Sequence, residues 1–148
     1  MKTINIDKII KESIQRVLKE EDEKNNKVVD LISFLHNAQL PVREIHWNTR
    51  IEALHSTTND LINDLFNWED TMAESFISSK HINLTINDTK PSKGNGYTKE
   101  HLTSILNELI ERTTEVKNSL NDSDNGICAV IDDILEKANK YLYKKDFQ

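Results

Sequence analysis

Apolar residues recur every three or four positions through most of this chain, and no useful stretch alternates apolar with polar. A period near 3.6 marks helices that bury one face, whereas half-buried strands have a period of two, so the chain is committed to an all-α fold. Few residues oppose that reading. Three Gly and two Pro in 148 residues leave little that would stop a helix. With 30% charged and 36% hydrophobic residues, the surface is polar and the core is one domain's worth, spanning 1–148.

The stripes place five helices. Over residues 6–22, Ile6, Ile10, Ser13 with Ile14, and Val17 with Leu18 line one face, so residues 1–24 are expected to form an additional amphipathic N-terminal helix that docks on something. The polar run ending at Lys27, with its paired asparagines, predicts a break. The second helix starts at Val28 and carries Leu31, Ile32, Leu35, Ala38 and Ile45. Pro41 lies inside it and predicts a kink or break over residues 37–41. The third helix, residues 51–78, turns Leu54, Leu61, Ile62, Leu65, Phe66 and Met72 toward a core. Residues 79–97 hold no period and read as a long loop. Thr98 caps a fourth helix with Leu102, Ile105, Leu106, Leu109, Ile110, Val116 and Leu120. A turn ending at Gly126 leads to the last, with Ile127, Val130, Ile131, Ile134, Leu135, Ala138, Tyr141 and Leu142. Helices two to five then make a four-helix bundle, with the long loop as its crossover.

Charge and cysteine usage remove several function classes. A formal charge of −6 repels phosphate backbones, and the basic residues of the first helix are interleaved with acidic ones, so DNA binding is not supported. The single cysteine, Cys128, cannot form an intrachain disulfide and reads as a small buried hydrophobe. No segment has the features of a signal peptide or the roughly 20 apolar residues of a membrane span, so a cytoplasmic protein without a membrane partner is expected. There is no Gly-rich phosphate loop, no cysteine pair for zinc and no nucleophile–base set.

Chemistry concentrates between His46 and Glu74. His46 and His55 offer imidazole; Asp70 and Glu74, one turn apart, offer carboxylates. That donor set suits iron, zinc or manganese. On a continuous helix His55 and Asp70 are fifteen positions apart, about 22 Å. Metal–ligand bonds are about 2 Å, so one copy of the helix cannot close both pairs on one ion. An antiparallel, two-fold-related copy can, with His55 of one chain facing Asp70 and Glu74 of the other. Taken singly each residue has a plainer role: exposed Asp and Glu are usually solvated charges, and a histidine near a helix end usually caps or packs. The case rests on their conjunction.

The segment His46-Trp47-Asn48, then His55, Asn59, Asp70 and Glu74, resembles the ferroxidase segment of the Dps family, the mini-ferritins. In that family a His-Trp-Asn is followed by a His-x-x-x-Asp and an Asp-x-x-x-Glu on the next helix, with the same offset from the second histidine to the carboxylate pair. The resemblance covers roughly residues 28–78. It implies a ferritin-like antiparallel four-helix bundle, antiparallel dimers and a homo-oligomeric shell of twelve subunits. It further implies iron as substrate, oxidised as Fe(II) by O₂ or peroxide and then stored or detoxified. The implied ligands are His46, His55, Asp70 and Glu74. Trp47 would be an oxidisable neighbour, although packing is its plainer role.

The chain departs from the family in three respects. Its histidines stand only nine residues apart, without the Gly-Pro loop that widens the family's spacing. In this it resembles a set of phage-encoded Dps-like proteins, which would put it in a host cytoplasm or a virion. Asn59 replaces the family's aspartate and is a weaker, neutral ligand. The N-terminal helix is not a basic tail. A second expectation therefore stands beside the ferroxidase: a non-catalytic ferritin-like scaffold serving assembly. His36, His81 and His101 have no ligand partner at useful spacing.

Overall fold

The computed structural model describes residues 3–91 and 96–147. They form four α-helices and one short 3-10 turn: α1 Ile6–Asn48, α2 Glu52–Lys80, α3 Lys99–Ser119, the turn Asp122–Asp124, and α4 Asn125–Lys144. No strand occurs among the described residues, and no helix there is long and apolar enough to cross a membrane. Of the loop expected at 79–97, residues 92–95 lie outside the described residues.

Chain direction follows from named contacts. The last turn of α1 meets the first turn of α2, where His46 touches His55. At the other end Lys24 of α1 and Lys80 of α2 converge on Asp124 before α4. The connection after α2 then climbs back along α1. Its Asn87 carbonyl accepts the Asn37 amide of α1, the Asn87 N–H and side-chain amide donate to Ser33 and Asp30, and its Lys90 and Pro91 reach the level of Leu40 and Pro41. It thus spans the bundle and delivers α3 antiparallel to α1, with Arg112 stacked over the Phe34 ring. On the far side Trp68 meets Asp133 and Asp64 meets Tyr141, so α2 and α4 are antiparallel as well. Each helix packs on two antiparallel neighbours, α1 on α2 and α3, α4 on α2 and α3. The result is a four-helix bundle with one long crossover.

Two expected breaks do not occur. The polar run before Val28 continues α1 without a break, and the expected separate N-terminal helix is the first half of a single 43-residue helix. Glu and Lys are good helix formers, and two asparagines cost only about 0.7 kcal/mol each. Within the run, Lys24 is buried with its ammonium 3.2 Å from Asp124, which ties this turn of α1 to the bundle. Nor does α1 break at Pro41, because Ala38, Val42 and Ile45 on either side are buried in the core. Tertiary packing there outweighs the roughly 3 kcal/mol that an internal proline costs.

The ends of the other helices have local causes. Asn5 accepts the Lys8 N–H at the start of α1, and Thr98 accepts the His101 N–H at the start of α3, as expected. α2 ends on His81 in the left-handed region at φ 55°. Asn121 and Asp124 form a reciprocal capping box that turns α3 into α4.

Most of the stripes are buried as expected, from Val28 through Leu35 on α1 and from Leu102 through Val116 on α3. α2 differs. Phe66, expected in the core, is 57% exposed, while Trp68 and Phe76 are buried in its place. Cys128 is half-buried. Phe76→Ala is expected to cost about 3–5 kcal/mol by leaving a cavity. Phe66→Ala should cost less than about 0.5 kcal/mol in dilute solution. Urea unfolding of both variants checks the contrast, and equal losses would mean that Phe66 packs inside.

Candidate metal-ligating face

The site begins at the three residues 49–51 between α1 and α2. Thr49 closes α1 with its N–H on the Ile45 carbonyl, and its hydroxyl accepts the Ile51 N–H that leads into α2. A turn this tight sets the two histidines against each other. Their rings stack with centroids 4.0 Å apart and 21° between planes. Nδ1 of His46 lies 3.0 Å from the His55 carbonyl oxygen, and Nδ1 of His55 lies 3.0 Å from the His46 carbonyl oxygen. Carbonyls only accept, so both Nδ1 atoms donate, and in a neutral ring the lone pair is then on Nε2. Thr58 reinforces the brace. Its hydroxyl donates to the Leu54 carbonyl and lies 3.2 Å from His46 Nδ1.

This is the arrangement that imidazole ligands use. One ring nitrogen is tied to a carbonyl, which orients the ring and raises the basicity of the other nitrogen. His46 is half-buried and His55 exposed, so the pair opens to solvent.

The remaining candidates lie along α2. His55, Asn59, Asn63, Phe66, Asp70, Glu74 and Ile77 follow one another at three or four residues and are all exposed, so they form one outward stripe. The structure therefore puts His46 and His55 together and places Asn59 one turn from His55. It keeps Asp70 and Glu74 on the same face, about 22 Å further along the helix. Among the described residues, no group of three or more His, Cys, Asp or Glu in one chain comes together in a way that could hold a metal ion. Trp47 is 66% exposed beside the pair and does not pack into its own bundle, and the Asn48 amide donates to the Glu44 carbonyl.

Three polar groupings had no sequence signal. Glu69 receives His36 at 2.6 Å and the Gln39 amide at 2.5 Å, tying α1 to α2. Asp64 and Asp133 share Lys137, Trp68 donates to Asp133 at 2.8 Å, and the Tyr141 hydroxyl donates to Asp64. Burial, with Asp64 next to it, pushes the Tyr141 phenol far above its ordinary value, so it stays a donor. At the opposite end Glu21, Lys24, Lys80 and Asp124 form a charged cluster. Of the other histidines, His101 reaches the Gly96 carbonyl at 2.7 Å.

No family model, no curated protein and no solved structure matches this chain.

Proposed function

We propose that this chain is a ferritin-like, Dps-like iron protein whose metal sites lie between two antiparallel chains. The observation that supports this best is the mutual brace of His46 and His55. It holds both Nδ1 atoms as donors, so that the Nε2 atoms of the neutral rings would be free to ligate, and His55 shares its α2 face with Asp70 and Glu74. The single-crossover bundle is the connectivity of ferritin-like folds and is consistent with the reading. So is the apolar part of the stripe. Pairing α2 with an antiparallel copy so that His55 faces the partner's Asp70 and Glu74 centres the pair near Asn63. Exposed Phe66 and half-buried Ile62 flank that point and would be covered.

In this reading Fe(II) is the substrate. Asp70 and Glu74 supply hard carboxylate oxygens that suit both iron oxidation states, and the two imidazoles complete the set from the other chain. Each Fe(II) passes one electron to O₂ or peroxide, and the ferric product is held by the assembly. Zinc or manganese would fit the same donors. Native mass spectrometry before and after anaerobic Fe(II) tests the proposal. A closed oligomer, a dimer or the twelve-subunit shell, is expected to gain up to two irons per chain. A protein that takes up none refutes iron chemistry here.

Asn59 favours a second reading, a non-catalytic scaffold of the same fold, because a neutral amide one turn from His55 weakens one ligand position. Asn59→Asp separates the two. In an iron site it should tighten Fe(II) binding about tenfold, about 1.4 kcal/mol, as read by anaerobic titration. In a scaffold it should change nothing.

A further inference from the structure

The seam between α2 and α4 holds two buried aromatic donors, each facing its own carboxylate. The Tyr141 hydroxyl donates to Asp64, and the Trp68 indole N–H donates to Asp133 at 2.8 Å. Trp68 is 4% exposed and Tyr141 6%, and both belong to the core. Lys137 lies between the two carboxylates, 3.5 Å from Asp64 and 3.4 Å from Asp133, and supplies a counter-charge. Any acceptor would let a phenol tie the two helices together. A carboxylate adds something else, a base in contact with the phenolic proton.

Burial beside Asp64 keeps the phenol protonated, so that proton does not leave by simple ionisation. Loss of an electron changes this, because a phenol radical cation is a strong acid. We propose that Tyr141 is a one-electron redox site with Asp64 as its base. A one-electron oxidant, hydroxyl radical being the example, takes an electron from the Tyr141 ring. The phenolic O–H bond breaks, and its proton forms a bond to an Asp64 oxygen. The oxidant leaves as hydroxide, and the chain holds a neutral tyrosyl radical beside a protonated carboxyl. Tyr97 and Tyr143 differ, being 49% and 68% exposed, so a radical there meets solutes and other chains. At Tyr141 the core excludes them and prolongs the radical. The oxidising equivalent is thus lodged at one buried ring. The step needs no metal and does not rest on the iron reading.

Tyr97→Phe with Tyr143→Phe leaves Tyr141 as the sole tyrosine of the three. The metal-free full chain carrying both changes is oxidised by flash-generated ruthenium(III) tris-bipyridine, with persulfate as electron sink, and followed by freeze-quench electron paramagnetic resonance. A neutral tyrosyl spectrum is expected, outlasting the one formed when Tyr143 is the sole tyrosine. Asp64→Asn in this background keeps an acceptor for the phenol but no base, and should slow radical formation about a hundredfold. Asp64→Glu should recover the rate, while urea midpoints report the fold separately. A purely structural tie predicts equal rates for Asp64→Asn and its parent, and that result overturns the proposal. So does a spectrum confined to tryptophan, since exposed Trp47 would then be the end point. Where Asp64→Asn fails to fold, a Tyr141 radical that decays as fast as that of Tyr143 still overturns it.

Discussion

Asp124→Ala lowers the unfolding free energy by about 3 kcal/mol, the lower end of the cost of breaking a buried ion pair, because Glu21 still partners Lys24. Lys24 and Asp124 expose only 9% and 5% of their side chains, with Nζ 3.2 Å from Oδ2. Lys80 adds a second ammonium at 3.8 Å, and Glu21 binds both lysines, at 3.1 and 2.6 Å. The substitution also removes the Asn121 N–H acceptor in the capping box that turns α3 into α4. For a chain of this length the loss is about 10 °C in Tm. Asp124→Asn, which keeps an acceptor but not the charge, should fall between the two proteins. A loss below about 1 kcal/mol for alanine would mean that the cluster is solvated.

The same cluster sets a pH dependence. Burial alone would raise the Asp124 pKa, but the Asn121 N–H and the Lys24 ammonium outweigh it and hold the carboxyl below its ordinary value. Hydrogen bonds from Lys80 and then Lys24 lower that of Glu21. A lowered folded-state pKa gives stability that is present above the unfolded value, about 4, and lost as pH falls through the folded one. For Lys24, burial opposes the charge, yet Glu21 and Asp124 prevail and raise its pKa. That contribution is complete below the unfolded value, about 10.4, and is lost as pH rises through the folded one. Urea midpoints should therefore be flat near neutrality. They should fall at both extremes, and the gap between the protein and Asp124→Ala should narrow below about pH 4.

This cluster also shows why the sequence misleads before Val28. The run ending at Lys27 has no apolar mark, so periodicity reads a gap. What carries the helix through is a buried lysine whose partner stands 100 positions away, on an element that no local pattern connects to it. The core stripes of α1, α3 and α4 were legible because each repeats its period over three turns or more. α2 carries apolar residues on both of its faces. Ile62, Leu65, Phe66 and Trp68 alone cannot say which face looks inward, and Phe66 was assigned to the wrong one. At the candidate site the residue types were legible, but their brace was not. It is made by the backbone carbonyls of residues 46 and 55, groups that every residue has, through a turn whose tightness sets the stacking.

Mixing two inactive chains should restore half of the iron sites. In the intersubunit reading, a chain with His46→Ala and His55→Ala keeps its carboxylates but lacks imidazoles, and a chain with Asp70→Ala and Glu74→Ala keeps imidazoles but lacks carboxylates. Each alone is expected to bind no Fe(II) while staying folded, since all four side chains are half-buried or exposed on the outward face. A mixed antiparallel pair has two positions. At one, both donor sets are wild type; at the other, both are missing. Co-expressed heterodimers purified with two different tags should therefore bind Fe(II) at half the wild-type capacity with unchanged affinity at the surviving site. A site closed within one chain predicts no recovery, because every chain in the mixture would still lack half of its ligands. The intrachain distance of about 22 Å between the donor pairs is what sets the two outcomes apart.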